Sequence, residues 1–220
     1  MNLDALKKYP FFTARMLAAF EGVKHAYTTI SRNKHKFITI EKGKYTVHTN
    51  PMVYATTLTT PSYCSLRSAL QYYQLSNQIP LKIQVITGKR KRSLKDVAFI
   101  ASPHVFGFRR TQVDGFTFFV AEKEKLLLDC LFHHSEGIQP DDLKALLREP
   151  LDLRKITAYL RRINNAALTK RTGYLLESEG KNIYPQFSRL LKSDANYPKL
   201  VSQLPATNNK DVKWRLQIND

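Results

Sequence analysis

The chain is poor in cysteine, glycine and acid, and each shortage removes a class of protein. Two cysteines in 220 residues, Cys64 and Cys130, form no CxxC pair and supply too few thiolates for a four-ligand zinc site, so a reduced chain is expected. No stretch of about 18 apolar residues occurs, and Met1-Asn2-Leu3-Asp4 lacks the basic-then-apolar pattern of a secretory leader. A cytoplasmic protein with no membrane span is the expectation. The 8 glycines form no GxGxxG run, and Gly43-Lys44, Gly88-Lys89 and Gly180-Lys181 have no glycine five residues earlier and no following Ser or Thr, so none is a phosphate-cradling loop. HExxH, Gly-Ser and Asp-x-Asp are all missing, which removes the ligand sets of zinc peptidases and two-metal nucleotidyl transfer. No catalytic residue, cofactor or metal site is expected.

Two lesser signals are weighed against that. His133-His134 is the one histidine pair, but neighbouring helix positions point about 100° apart and would not chelate one ion. Glu122, Glu124 and Asp129 could serve general acid–base chemistry, yet the interleaved Lys123 and Lys125 read as an ordinary solvated helix start.

What the sequence has in excess is positive charge. Its 35 Lys plus Arg against 18 Asp plus Glu give +17, a field whose usual partners are nucleic acid or acidic membrane. Hydrophobic residues at 43% are enough for a real core.

The first ~48 residues read as three helices and a hairpin. Leu3 and Leu6 begin a short amphipathic turn closed by Pro10. Thr13 is an N-cap for a second helix with Met16, Leu17 and Phe20 at helical spacing, and Gly22 stops it. From His25 to about Lys34 a third helix places Ala26 and Ile30 on one face. Phe37–Glu41 and Tyr45–His48 are β-branched runs joined across Lys42-Gly43-Lys44.

This pattern predicts an α+β protein, a winged helix-turn-helix over residues 1–50 followed by a linker at 51–61 and a mixed α/β domain over 62–220. The third helix would enter the major groove of double-stranded DNA, on a dimer or on two monomers side by side. Base reading falls to Thr28, Thr29, Arg32 and Asn33, with His25 and Ser31 beside them, and phosphate contacts to Lys24, Lys34, Lys36, Lys42 and Lys44. The plainer alternative is a solvated hydroxyl-rich face and a generic strand pair.

Beyond the linker, helices are expected at Ser65–Leu75, Glu122–Phe132, Asp141–Leu147 and Asp152–Leu168, and strands at Ile83–Thr87, Phe99-Ile100 and Phe116–Val120. Val212 to Ile218 alternates strictly and predicts a strand. Lys89-Arg90-Lys91-Arg92 is a run of four cations. Between Leu153 and Leu176, six more (Arg154, Lys155, Arg161, Arg162, Lys170 and Arg171) stand with no acid. A second phosphate-binding patch at Lys89, Arg90, Lys91, Arg92, Arg161 and Arg162 competes with solvated surface as their reading.

Four stretches in order carry a resemblance. They are Tyr63-Cys64-Ser65-Leu66-Arg67-Ser68-Ala69-Leu70-Gln71-Tyr72-Tyr73-Gln74-Leu75 with Gln78-Ile79-Pro80, then Val85-Ile86-Thr87, then Ala121-Glu122-Lys123-Glu124-Lys125-Leu126-Leu127-Leu128-Asp129, then Arg171-Thr172-Gly173-Tyr174-Leu175-Leu176-Glu177. Behind the N-terminal module, their order resembles the AbiEi-type antitoxin family, transcriptional regulators of type IV toxin–antitoxin and abortive-infection operons. The resemblance covers about residues 1–180; the tail from Asn182 matches none of it. It implies an autorepressor that binds promoter inverted repeats through its winged helix and carries antitoxin activity in its C-terminal domain. The cognate nucleotidyltransferase-like toxin would be countered without a stable complex. An RNA-binding regulator using the basic C-terminal domain, with stacked aromatics such as Tyr72 or Phe108, is the alternative.

Overall fold

The computed structural model describes residues 3–22, 25–133, 136, 138–191 and 195–219. In chain order its elements are α1 (Leu3–Leu6), α2 (Ala14–Glu21), α3 (Ala26–Arg32), a 3-10 turn at Lys34–Lys36, β1 (Ile38–Glu41), β2 (Lys44–Thr46), α4 (Met52–Ala55), β3 (Ser62–Cys64), α5 (Leu66–Tyr72), β4 (Ile83–Thr87) and β5 (Val97–Ala101). There follow β6 (Phe108–Val113), β7 (Phe116–Ala121), α6 (Lys123–Phe132), α7 (Pro140–Arg148), α8 (Leu153–Ile163), α9 (Ala166–Ser178), α10 (Tyr184–Leu191), β8 (Lys210–Asp211) and β9 (Leu216–Gln217). The protein is therefore mixed α+β. None of its described helices is long and apolar enough to cross a membrane.

Two compact units form, Met1–Cys64 with Pro80–Val105 and Arg109–Val120, and Ser65–Ile79 with Phe106–Phe108 and Ala121–Asp220. In the first, Leu6, Phe12, Ala14, Leu17, Ala26, Ile30 and Phe37 make one buried cluster under α1, α2, α3 and β1. The Thr13 hydroxyl accepts from the Met16 amide at 3.3 Å, and Gly22 closes α2 at φ +64°, where a side chain would be strained. Phe12 exchanges both backbone hydrogen bonds with Tyr45, at 2.7 and 2.9 Å, so the β1–β2 hairpin gains a third extended segment.

The same unit holds a five-stranded sheet in the order β5-β4-β3-β7-β6. β3 runs antiparallel to β4 (Cys64 opposite Val85) and parallel to β7 (Cys64 opposite Val120), while β4 and β5 are parallel from Ile83 opposite Val97. Every β4 residue is buried, as expected of a central strand. β6 is an addition to the expected strands. Its signal is Asp114-Gly115, both at positive φ, the two-residue turn that joins β6 to β7.

Residues 51–61, expected as a linker, are folded into this unit. α4 lies there, Val53, Tyr54, Ala55 and Leu58 are buried, and the Tyr54 hydroxyl donates to Asp96 at 3.3 Å. Burial and the Asp96 charge push the Tyr54 phenol up to about 12. The sheet, expected in a separate domain over 62–220, falls largely in the same compact unit as the N-terminal helices.

In the second unit α6 packs against α5, α7, α8 and α9 and is buried on all sides from Glu124 to Leu131. Its charges are satisfied internally. Lys125 pairs with Asp129, which also accepts from the Ser65 hydroxyl at 2.8 Å, and Glu124 accepts the Asp152 amide at 3.0 Å. The expected helix from Asp152 to Leu168 is two. Asp152 caps α8 through the Arg154 and Lys155 amides, but Asn164 turns to φ +54° and Asn165 caps α9 by accepting from Leu168, so the Asn-Asn pair ends one helix and starts the next.

The alternating tail is also not one strand. β8 and β9 are two residues each, with Lys210 opposite Gln217, and the chain turns between them through Arg215 at φ +51°. The turn buries Trp214, whose indole N–H donates to Glu177 at 2.9 Å and whose ring fills the space over Gly173. Tyr184 and Phe187 of α10 stand edge-on to that ring. Packing around one large side chain, rather than strand pairing, fixes this tail.

Candidate nucleic-acid interface

The amphipathic character of α3 sets the candidate site. Ala26 and Ile30 are buried, which turns Tyr27, Thr28, Ser31 and Arg32 to solvent, in two i, i+4 pairs on neighbouring rows. His25 is the exposed N-cap residue. Thr29 and Asn33 are half-buried and partly committed to the helix itself. The Thr29 hydroxyl donates to the His25 carbonyl at 3.3 Å, and the Asn33 amide nitrogen donates to the Thr29 carbonyl at 2.9 Å. The polar face open to a partner is therefore Thr28, Ser31 and Arg32, with Tyr27 added at 73% exposed. Tyr27 was missed by sequence reasoning; its spacing of four from Ser31 is the signal that would have found it.

Lys34 and Lys36 follow in the exposed 3-10 turn, and Lys42 stands at the hairpin tip beside Gly43 at φ +81°. Arg32, Lys34, Lys36 and Lys42 make no ion pair among the described residues. From His25 to Ile40 there is no carboxylate in the sequence. Lys24 lies outside the described residues.

Lys44 differs. Its ammonium pairs with Glu41 at 2.8 Å and lies 5.2 Å from the Phe11 ring centroid. Lys91, from the four-cation run, reaches the same carboxylate at 3.2 Å and also donates to the Leu58 carbonyl. Burial alone would raise the Glu41 carboxyl, but the hydrogen bonds and charges of Lys44 and Lys91 outweigh it and hold the group below its ordinary 4.5. Lys44 thus closes the hairpin on itself, and Lys91 ties it to the crossover connection between β4 and β5. Lys89, Arg90 and Arg92 remain exposed.

The second expected patch draws its residues from both units. Lys89 to Arg92 belong to the first unit, Arg161 and Arg162 to the second. Within the second unit Arg162 stacks 4.0 Å over the Phe106 ring, Lys155 pairs with Glu122 at 3.2 Å, and Lys170 is fully buried and donates to the Asn196 carbonyl. Arg171 donates to the Lys199 carbonyl and the Ser202 hydroxyl, and burial lowers its pKa. Arg154 and Arg161 alone of the six are exposed without a partner among the described residues.

The remaining signals are absorbed locally. Glu122 accepts from the Tyr159 hydroxyl at 2.6 Å, and Tyr73 donates its hydroxyl to the Ala121 carbonyl at 2.7 Å with Tyr72 edge-on at 5.2 Å. Both thiols are buried; burial pushes the Cys64 and Cys130 groups far above their ordinary range. The His133 ring packs edge-on against Phe132, while His134 lies outside the described residues.

No protein-family model matches the chain, and no curated protein matches it. Among solved structures it is similar to the crystal structure of RV2827C protein from Mycobacterium tuberculosis, with a TM-score of 0.69 and 13% sequence identity over 94% of this chain and 85% of that one. At this identity the likeness is one of fold.

Proposed function

We propose that the N-terminal helices and hairpin are a winged helix-turn-helix that binds duplex DNA, and that the protein represses its own operon as an antitoxin of the AbiEi type. The observation that carries the reading is the solvent face of α3, where Tyr27, Thr28, Ser31 and Arg32 stand opposite buried Ala26 and Ile30 with no carboxylate among them. The Phe12–Tyr45 backbone exchange supports it, since a wing needs a small sheet braced against the helices.

In this mechanism α3 enters the major groove. Arg32 pairs bidentately with a guanine edge, a contact that discriminates by ~1–3 kcal/mol, and Thr28, Ser31 and Tyr27 offer hydroxyls to neighbouring bases or phosphates. Asn33 keeps its side-chain oxygen for an exocyclic amine, its nitrogen being engaged by Thr29. Lys34, Lys36 and Lys42 neutralise phosphates and fix register. Two such modules on successive major grooves would read inverted half-sites about 34 Å apart. Occupying the promoter blocks transcription, and the cognate nucleotidyltransferase-like toxin is countered without a stable complex. That last element rests on the family resemblance alone.

Fluorescence anisotropy on duplex DNA from just upstream of the gene tests this against a scrambled duplex. Preference for the native duplex that survives near-physiological salt is the expected result. Equal affinity for both, lost steeply with salt, would leave only a basic surface and favour an RNA ligand.

A further inference from the structure

α8 and α10 of the second unit pack together and form an open cleft of about 370 Å³. Arg154, Thr157, Ala158 and Arg161 line it at i, i+3, i+4 and i+7, the stripe of α8 opposite the buried Ile156, Leu160 and Ile163. Gln186 and Arg189 line it from α10, whose Phe187 and Leu191 are buried.

Three arginine side chains therefore line one cleft, with no carboxylate among its lining residues. Elsewhere in this unit cations find acids, as Arg148 does at Glu179 and Lys213 at Glu177. Arg154, Arg161 and Arg189 are exposed and without an ion pair among the described residues. Like charges gathered in one concavity repel, and an anion between them relieves that repulsion. The Thr157 hydroxyl is taken by the Leu153 carbonyl at 2.7 Å, so the donors left to a ligand are the three arginine forks and the Gln186 amide.

Planar guanidinium forks match phosphate oxygens bidentately, and three of them exceed what a single phosphate needs. Ala158 leaves the α8 side open, so a ligand is reached from solvent along the cleft.

We infer that this cleft binds a chain of two or more consecutive phosphate groups, supplied by a free polyphosphate or nucleotide or by the backbone of a nucleic-acid strand. The inference goes beyond the DNA reading of α3 and does not depend on it, because its readout needs no DNA.

The test is calorimetric titration of the full chain with inorganic tripolyphosphate at near-physiological salt. Saturable one-to-one binding is expected, weakened at least about tenfold by Arg161→Ala or by Arg189→Ala. The double variant Lys8→Ala/Arg15→Ala, which removes more charge from exposed positions of the first unit, should stay within about twofold of wild type. Thermal melts equal to wild type, expected for exposed positions, show that the variants fold. No saturable binding, or an equal loss in the Lys8/Arg15 control, overturns the site and leaves bulk charge as the cause. Adding a short thymidine oligonucleotide distinguishes the sources. Displacement of tripolyphosphate assigns the cleft to a strand, its absence to a free polyphosphate, and either result supports the phosphate-chain site.

Discussion

Between His25 and Lys44, Arg32, Lys34, Lys36 and Lys42 stand in solvent unpaired among the described residues, and only Lys44 meets an acid. Between Leu153 and Arg171 the composition looks just as basic, yet Lys155, Arg162, Lys170 and Arg171 are spent on Glu122, the Phe106 ring and the carbonyls of the tail. A count of cations along a sequence measures the field offered to a partner only after subtracting those that satisfy the fold. The first segment keeps its charge because no acid lies between His25 and Ile40 and its helix is short. The second gives up Lys170 and Arg171 to the backbone of residues 195–219, Lys155 to Glu122 and Arg162 to the Phe106 ring.

The structural side of that comparison breaks most severely at Gly173. The Trp214 ring occupies the place a Cβ would take, so Gly173→Val should destabilise the second unit by about 3 kcal/mol or more, read from a thermal or urea melt. Lys170→Met and Lys42→Met then compare like with like. The first removes the hydrogen bond of a fully buried ammonium to the Asn196 carbonyl and should lower stability by about 1–3 kcal/mol, whereas the second should stay within about 0.5 kcal/mol, both from urea midpoints.

The functional side sharpens with DNA. Arg32→Ala should reduce the preference for native over scrambled duplex by roughly 1–3 kcal/mol. Lys42→Ala should weaken both duplexes alike and lower the salt slope by about one, and Lys44→Ala should change the slope less because its ammonium is held by Glu41. A competition assay in which Arg32→Ala and Lys42→Ala behave alike would break the division between reading and positioning.

The smallest effect is on pH dependence. The Glu41 carboxyl sits below its ordinary 4.5 in the folded chain, so its pairing with Lys44 and Lys91 stabilises above that pH and is lost as pH falls through the folded value. Glu41→Gln should flatten this part of the acid unfolding curve by under about 1 kcal/mol, since the group is partly solvated. Glu177, lowered by Lys213 and Trp214 against the opposing effect of burial, offers the same experiment in the second unit.

What the sequence made legible was local. Thr13, Gly22 and Asp152 announce helix ends through hydrogen bonds within three residues or a single φ, and the hairpin at Gly43 follows from alternation and one glycine. The α3 face was legible because helical spacing alone separates Ala26 and Ile30 from Thr28 and Arg32. What stayed hidden depends on partners far along the chain. Glu41 holds Lys91 from 50 residues away, Trp214 seats on Gly173, and Tyr54 of the buried α4 reaches Asp96. The α8–α9 break was written in Asn164-Asn165, but helical periodicity continued through it and concealed it. The cleft needed Arg189 from α10, which no spacing within α8 reveals.

Hydrogen–deuterium exchange of the full chain, with and without the duplex from upstream of its gene, tests the central claim most directly. Slower exchange confined to His25–Lys44, and absent with a scrambled duplex at the same salt, is the result this account predicts. Unchanged exchange across that segment, with protection appearing instead between Leu153 and Leu191, would contradict it.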